Sequence, residues 1–383
     1  MPLLYPTLYA TAFLRGSNLA VNTIANALTA IKVLYAWQEY YNLDMESRFR
    51  CAELIALHEI HALRDFVQIP LTPARQLAGN VTPIMQEVKL VSSESQYSRL
   101  SVIADYLDFL AGQLHPRTAV SSAAIQEMVA HIKANRPNPG GKSSPERHEI
   151  HVDDELLDRI AATLEPGSSS NPATDFSVQV RNALIFTVLR ATAFRRSELL
   201  NLRIEDCDFN NNIIRVVRRP DSNGDPRNYQ PVAKTLGRPV PVVPEIMEGI
   251  EEYIKNHRAK VRGANKHGYL FVTHKEGRFE GKPLSNSGFG KFMWQLTNSS
   301  VDYKGMHAHA LRHHWNYTFS QIMDAKNVSP EREQKLRSKL LGWKETSNMA
   351  ARYNRRHIEQ EAGQAAIALQ EKYLSKSKRG DDQ

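Results

Sequence analysis

The chain has 383 residues, which is enough for two domains that each bury a hydrophobic core. Its formal net charge of +8 indicates a polyanionic partner such as nucleic acid, although an ordinary basic cytosolic protein can carry the same charge. Two cysteines exclude a disulfide framework and no apolar run reaches the ~18 residues of a membrane span, so we expect a cytoplasmic protein with no membrane partner.

The first part of the chain has the apolar spacing of helices. From about Val21 onward, apolar residues recur at helical intervals, at Ile24, Leu28, Ile31 and Tyr35. A second helical pattern covers Glu53–Gln68. Ser93 and Gln96 have the spacing of a capping box. The box predicts a third helix with an apolar stripe at Leu100, Ile103, Leu107, Leu110 and Leu114. With a further helix at about Ser122–Asn135, these patterns predict an all-helical bundle over residues 1–140.

A linker separates this bundle from the rest of the chain. Residues 136–149 have the sequence RPNPGGKSSPERHE, with three prolines, two glycines and no apolar side chain that could anchor them. We place the linker at residues 141–149 and a second domain at residues 150–383.

The second domain combines helices with a few short strands. Helices are predicted at about Asp153–Leu164 and Phe176–Ala191. Strands are predicted at Ile213–Arg219 and Arg238–Val243, with a turn-rich stretch between them, and a further strand is possible at Tyr269–Thr273. The chain after the second strand is otherwise helical in pattern. The sequence therefore predicts a mainly α protein whose second domain contains a small antiparallel sheet.

The last predicted helix spans residues 357–374. One of its faces is apolar, with Ile358, Ala362, Ala365, Leu369 and Tyr373. This face is rich in alanine, so any contact that it makes with a partner should be weak.

Candidate catalytic side chains are concentrated late in the chain. Six consecutive positions hold His309, Arg312, His313 and His314. Tyr353 follows, with Arg355 and Arg356 beside it. A tyrosine hydroxyl, with a pKa of about 10, is a useful nucleophile only where cations and a base surround it and the electrophile is an anion. A phosphodiester is such an electrophile, and two arginine forks suit its two non-bridging oxygens. A second arginine is therefore expected, with Arg195 as the candidate and Arg196 as the alternative.

Three stretches together resemble the sequence boxes of the tyrosine recombinase (phage integrase) family. TAFRRSELLNL, which contains Arg195, resembles the first arginine box. HALRHHW resembles the His-x-x-Arg box, and LLGW, followed ten residues on by Tyr353, resembles the nucleophile box. The resemblance covers most of residues 150–356 by motif and residues 1–135 by layout. It implies the DNA breaking-rejoining fold, in which a helical core-binding (SAM-like) domain precedes a mostly α catalytic domain with a small antiparallel sheet.

The resemblance also implies roles for individual residues. Arg195 and Arg312 would bind the scissile phosphate. Tyr353 would attack it, and His309 would accept the tyrosine proton or hold a phosphate oxygen. Lys234 stands where the family has a hairpin lysine, which can protonate the departing 5′-oxygen.

Three further positions have supporting roles in the same scheme. Glu198 corresponds to an acidic residue that buttresses the site, and His313 to a further histidine of the box. Trp343 stands where most members of the family have histidine. Its indole N–H can donate to a phosphate oxygen but cannot carry a proton, which leaves Lys234 and His309 for the proton transfers. The spacing from Trp343 to the tyrosine is one residue longer than is usual.

The implied activity is that of a site-specific DNA recombinase or integrase that works through a 3′-phosphotyrosyl intermediate. The resemblance implies no cofactor, neither metal nor ATP. The implied partner is double-stranded DNA at specific recombination sites. The chain would be mostly monomeric when free and a homotetramer in the DNA synapse, joined through the helix at 357–374. Its location would be the cytoplasm, at the nucleoid.

Three alternatives are weighed against this interpretation. A type IB topoisomerase uses the same chemistry without exchanging partners, and the helix at 357–374 argues against it. A DNA-binding regulator without catalysis should lack a key residue, and none is missing. A zinc site could be built from the histidines of the box, at His307, His309, His313 and His314. No carboxylate or cysteine completes that set, and Arg312 would place a cation inside it.

Overall fold

A computed structural model gives the architecture of the chain. It describes residues 3–17, 19, 21–71, 90–115, 119–138, 152–219, 222, 224–227, 229–233, 235–344 and 362–371. The chain divides into two compact units, Met1–Arg147 and His148–Gln383. The predicted linker at 141–149 lies outside the described residues. Within the described ranges, no helix is long and apolar enough to cross a membrane.

The described part of the first unit is helical. Its α-helices are α1 (Leu4–Leu8, continued as a π-helix over Tyr9–Leu14), α2 (Val21–Tyr40), α3 (Met45–Arg50), α4 (Leu57–Phe66), α5 (Ser93–Leu114) and α6 (Ala119–Ala134). Its core contains Trp37, Phe49 and Tyr106, all fully buried. The Tyr106 ring meets that of Tyr9 edge-on with centroids 5.3 Å apart, and its hydroxyl lies 3.0 Å from that of Tyr35. The phenol groups inside this unit are thus paired with each other, as burial requires.

The start of α5 differs from the prediction by one residue. Ser92, in extended conformation, caps the helix by accepting a hydrogen bond from the Ser95 amide at 3.3 Å. Ser93 already has helical geometry, so the capping box predicted at Ser93 and Gln96 is wrong in register.

The second helical pattern also begins later than predicted. Residues between Arg50 and Leu57 leave the helix because Arg48 binds the carbonyl oxygen of Leu54 at 3.0 Å and pairs with Glu59. Helix α4 then starts at Leu57. The apolar spacing alone did not contain this contact, and the prediction of a helix from Glu53 is wrong over its first turn.

The second unit is a helical domain with one small sheet. Its α-helices are α7 (Asp154–Leu164), α8 (Phe176–Thr192), α9 (Arg196–Leu200), α10 (Pro244–Glu252), α11 (Asn286–Ser299), α12 (Ala308–Ala325) and α13 (Pro330–Leu341). Residues 362–371 are also helical, and every one of them is exposed. Helix α8 is central and packs against α7, α10 and α12. Its buried residues Ile185 and Leu189 belong to the same core as Leu157, Ile250 and Leu311.

Three short strands form an antiparallel sheet in the order β1 (Cys207–Asp208), β2 (Ile213–Val216) and β3 (Arg238–Pro241). Ile214 pairs with Val240 in its centre. The fold class predicted from the sequence, mainly α with a small antiparallel sheet, is confirmed. The second and third strands are shorter than predicted. β3 contains two prolines, which lack an amide N–H and suit the edge of a sheet.

The possible strand at Tyr269–Thr273 does not form. Only isolated bridges occur there, from Arg203 to Tyr269 and from Val272 to Pro283. The backbone of this segment divides its hydrogen bonds between two neighbours: Leu270 donates to Leu202, and Phe271 accepts from Leu284. Neither neighbour runs beside the segment for long enough to make a ladder.

A buried ion pair joins α13 to α12. Glu333 and Arg337, on α13, are both completely buried and are hydrogen-bonded to each other. The hydroxyl of Ser320, on α12, donates to Glu333 at 3.0 Å and accepts from Arg337 at 2.6 Å. The cluster therefore sets the position of α13 on α12, and α13 leads directly to Trp343.

Glu333→Ala should strongly destabilise the second unit, because it leaves the Arg337 charge buried without this carboxylate. Removing one partner of a buried pair costs about 3–5 kcal/mol. We expect a corresponding drop in the free energy of unfolding in urea titrations followed by tryptophan fluorescence.

Glu251→Ala is the matched control. Glu251 also forms an ion pair four residues along a helix, with Lys255, but the two side chains are 47% and 67% exposed. Its loss should cost less than about 1 kcal/mol. Equal effects of the two substitutions would contradict a special role for the buried pair.

Candidate active site

The segment that carries Arg195 leaves the central helix through a sharp turn. Helix α8 ends at Thr192, and Ala193 adopts a left-handed conformation with φ of 52°. Phe194 is buried, and Arg195 then stands as the N-cap of α9. The Arg195 side chain is 25% exposed and lies 3.5 Å from Glu198, whereas Arg196 is exposed. Of the two adjacent arginines, Arg195 is the one held by a buried group.

Glu198 is a buried carboxylate with several donors around it. It is 1% exposed and accepts hydrogen bonds from the Arg195 amide at 3.1 Å, the Thr235 hydroxyl at 2.5 Å and the Arg238 guanidinium at 3.1 Å. Burial raises the pKa of Glu198, but the charge of Arg238 and these hydrogen bonds outweigh burial and hold the pKa below its ordinary value. The group is therefore an anion fixed beneath Arg195.

The first turn of α12 supplies His309 and Arg312, one helical turn apart. Arg312 is 2% exposed, and its guanidinium donates to the carbonyl oxygen of Ala193 at 2.5 Å. The same guanidinium lies 5.4 Å from the ring centre of Trp343. Arg312 therefore connects the His-x-x-Arg segment both to the turn before Arg195 and to the segment after α13.

His309 is exposed and lies against another histidine. Its ring meets that of His313 edge-on with centroids 4.3 Å apart. Partial desolvation, and then the charges of His313, Arg312, His307 and Arg195, lower the pKa of His309 to about 4. The imidazole is therefore neutral at physiological pH and able to accept a proton. Both arginines therefore lie within electrostatic range of this ring.

Trp343 lies against the guanidinium group of Arg312. It is 6% exposed and packs with Ala193 and Leu341, with Trp315 partly buried beside them. Gly342 before it has a φ of 64°, which ends α13. The buried Trp343 ring thus holds one face of the Arg312 guanidinium in place.

The other two histidines of the His-x-x-Arg segment, His313 and His314, have different surroundings. His313 lies against His309, as described above. His314 is buried, with Nδ1 2.7 Å from the Val152 carbonyl oxygen and Nε2 3.1 Å from Asp154. It therefore joins α12 to the start of α7. In the part of the chain that is described, no group of three histidine, cysteine or acidic side chains could hold a metal ion. The zinc alternative thus has no ligand set there.

Two predicted site residues, Lys234 and Tyr353, lie outside the described residues. The neighbours of Lys234 are described: Ala233 and Thr235 are both buried. The sequence predictions did not include Thr235 or Arg238 in the site. A signal for Arg238 was present, because an arginine occupies an inward-facing position of a strand whose exposed positions are prolines.

The amino-acid sequence is similar to those of known tyrosine recombinases. Residues 155–360 match the model of the phage integrase family. The tyrosine recombinase XerD of Halalkalibacterium halodurans is 28% identical over 158 residues, 41% of this chain and 44% of that protein. The tyrosine recombinase XerC of the same organism is 27% identical over 143 residues, 36% of this chain and 41% of that protein. The chain thus aligns with less than half the length of these relatives.

One solved structure has a similar fold. It is the integrase of transposon Tn1549 in complex with transposon right-end DNA. It covers 93% of this chain and 100% of its own, with 14% identity and a TM-score of 0.51.

The DNA-free protein should show a His309 imidazole that titrates near pH 4. Folded His309 has a lower pKa than the unfolded value of about 6.5, so its protonation favours unfolding as the pH falls through this window. Histidine-selective NMR, with His309→Gln to assign the signal, measures this pKa. A value at or above about 6.5 in the free protein would contradict the electrostatic arrangement described here.

Proposed function

The chain belongs to the phage integrase family, and from that premise we propose that it is a tyrosine site-specific recombinase that cuts and rejoins double-stranded DNA. The observation that carries the proposal is that the buried guanidinium of Arg312 binds the turn before Arg195 and lies against Trp343, with His309 three residues earlier on the same helix. Two guanidinium groups suit the two non-bridging oxygens of one phosphodiester. The DNA-bound integrase of similar fold and the recombinase relatives support DNA as the partner.

In the proposed reaction, Tyr353 is the nucleophile. Its hydroxyl oxygen attacks the scissile phosphorus while the proton passes to neutral His309. The bond from phosphorus to the 5′-oxygen breaks, and Lys234 gives that oxygen a proton. Arg195 and Arg312 stabilise the charge that builds on the non-bridging oxygens. The products are a 3′-phosphotyrosyl link and a free 5′-hydroxyl.

Rejoining is the same reaction in reverse on a new strand. The 5′-hydroxyl of a partner strand attacks the phosphotyrosine and gives its proton back to Lys234, and Tyr353 leaves with a proton returned by His309. The energy of the broken phosphodiester is retained in the phosphotyrosyl bond. Neither a metal ion nor ATP is therefore needed.

A homotetramer on paired sites would distinguish a recombinase from a type IB topoisomerase. Residues 362–371 are helical, and all of them are exposed, including Ile367 at 58% and Leu369 at 51%. Exposed apolar residues on a helix suit docking into another copy in the DNA synapse. An apolar face that is rich in alanine agrees with a protein that is mostly monomeric off DNA. The proposed location is the cytoplasm, at the nucleoid.

Tyr353→Phe should abolish covalent attachment to DNA without weakening DNA binding, because it removes only the hydroxyl group. Nicked duplexes from a randomised library serve as suicide substrates, and denaturing capture followed by sequencing identifies the attached strand. Wild-type adduct yield should be unchanged in excess EDTA without nucleotide.

Tyr317→Phe is the control, since Tyr317 is 47% exposed on α12, and it should form adducts as the wild type does. Adducts of Tyr353→Phe at wild-type yield would reassign the nucleophile. Loss of adducts in EDTA would overturn the metal-free mechanism.

The double substitution Ile367→Ser and Leu369→Ser should prevent pairing of two DNA sites while single-site binding stays within about twofold. Both side chains are exposed, so their own unit loses no core packing. Gel-shift assays with one-site and two-site DNA measure the two steps, with Gln364→Ser and Gln370→Ser as controls on the same helix. Normal synapsis by the serine variant would remove this helix from the interface.

A further inference from the structure

The buried Glu198 carboxylate joins two segments that are far apart in sequence, residues 195–198 and residues 235–238. It holds Arg195 through the backbone amide at 3.1 Å, the segment after Lys234 through the Thr235 hydroxyl at 2.5 Å, and the first residue of β3 through Arg238 at 3.1 Å. A carboxylate at 1% exposure is stable only while its donors stay in place. The partners are therefore held together as a set.

Arg238 extends this set to the turn before Trp343. Its Nε donates to the Leu340 carbonyl oxygen at 2.6 Å and its Nη1 to the Thr235 hydroxyl at 3.2 Å. The Leu236 amide donates to the Gly342 carbonyl oxygen at 3.0 Å.

Gly342 allows this close approach. It has a φ of 64°, and a Cβ there would lie 2.8 Å from both Arg238 and the Leu236 carbonyl oxygen. The start of β3 thus packs directly on the end of α13, with no room for a side chain between them.

We propose that Thr235 and Arg238 are positioning residues for the general acid. They fix the segment that bears Lys234 to the carboxylate that holds Arg195 and to the turn that leads to Trp343. This inference rests on the proposed function. Lys234 is bracketed by buried Ala233 and by Thr235, whose hydroxyl is anchored to Glu198. A general acid must lie at hydrogen-bond distance from the departing oxygen, and a displacement of about 1 Å can slow a reaction about 100-fold.

A purely structural role and a positioning role differ in one measurable way. A sulfur atom at the bridging 5′-position leaves as a thiolate without needing a proton. A variant whose acid is misplaced should therefore cleave the sulfur substrate normally. A variant with a generally disturbed site should be slow on both substrates.

The test is single-turnover cleavage by Thr235→Val, which keeps the side-chain shape and removes the hydroxyl. We expect cleavage of the oxygen substrate to slow about 10- to 100-fold and cleavage of the sulfur substrate to stay within about threefold of the wild type. Lys234→Ala should show the same split, and Arg195→Ala should stay slow on both substrates.

Thr163→Val is the matched control, because Thr163 has a similar hydrogen bond, 2.7 Å to the Tyr303 hydroxyl, and is not part of the site. It should cleave both substrates as the wild type does. Arg238→Lys keeps the charge beside Glu198 and loses the guanidinium fork. It is the second test variant should Thr235→Val fail to fold, and we expect it too to be slow on the oxygen substrate and near normal on the sulfur substrate. Thermal melting shows which variants are folded.

Equal slowing on the two substrates, or no slowing at all, overturns the inference. Failure of the wild type to cleave either substrate would instead overturn the proposed function. If Lys234→Ala stays slow on the sulfur substrate, Lys234 is not the general acid. The role assigned to Thr235 and Arg238 is then wrong as well.

Discussion

The carboxylate of Glu198 lies almost out of contact with solvent, and much of the second unit is arranged to satisfy it. A buried anion is tolerated only with charge and hydrogen bonds around it, and here they come from the start of α9, from the segment before β3 and from β3 itself. The start of α9 also carries Arg195, the segment before β3 contains Lys234, and β3 binds the end of α13 through Arg238. A structural requirement of the interior thus sets the geometry of side chains that face outward.

A second linkage crosses the site at Arg312. Although it is a charged residue, it is almost completely buried, with one nitrogen bound to the Ala193 carbonyl oxygen and the guanidinium over Trp343. The left-handed turn at Ala193 aims that carbonyl at Arg312, so the end of α8 and the start of α12 share one contact. Helices α8 and α12 also pack directly against each other.

The electrostatics of the region suit chemistry on an anion. Partial burial, and then the charges of the neighbouring histidines and of Arg312 and Arg195, lower the pKa of His309 and favour its neutral form in the absence of DNA. Arrival of a phosphate would reverse part of this field, because an anion favours the imidazolium. A bound phosphate would thus raise the pKa of His309. Trp343 contributes packing and an indole N–H rather than a titratable group.

Local sequence patterns were sufficient for the fold class and for the approximate limits of most helices, because periodicity records which side chains face inward. The grouping of Arg195, His309, Arg312 and Trp343 came instead from the resemblance to the sequence boxes of the family, and their catalytic roles stay predictions. Errors occurred where a contact outside the local pattern overrode it, as before α4, which starts at Leu57 and not at Glu53, where Arg48 binds the carbonyl oxygen of Leu54.

The hydrogen-bond partners of Arg238 and Ala193 were decided by tertiary structure alone. Arg238 and Leu340 are 102 positions apart, and Arg312 and Ala193 are 119 apart. No local pattern encodes such pairs, since each depends on how whole helices and strands pack, and only the folded chain brings their atoms within hydrogen-bonding distance.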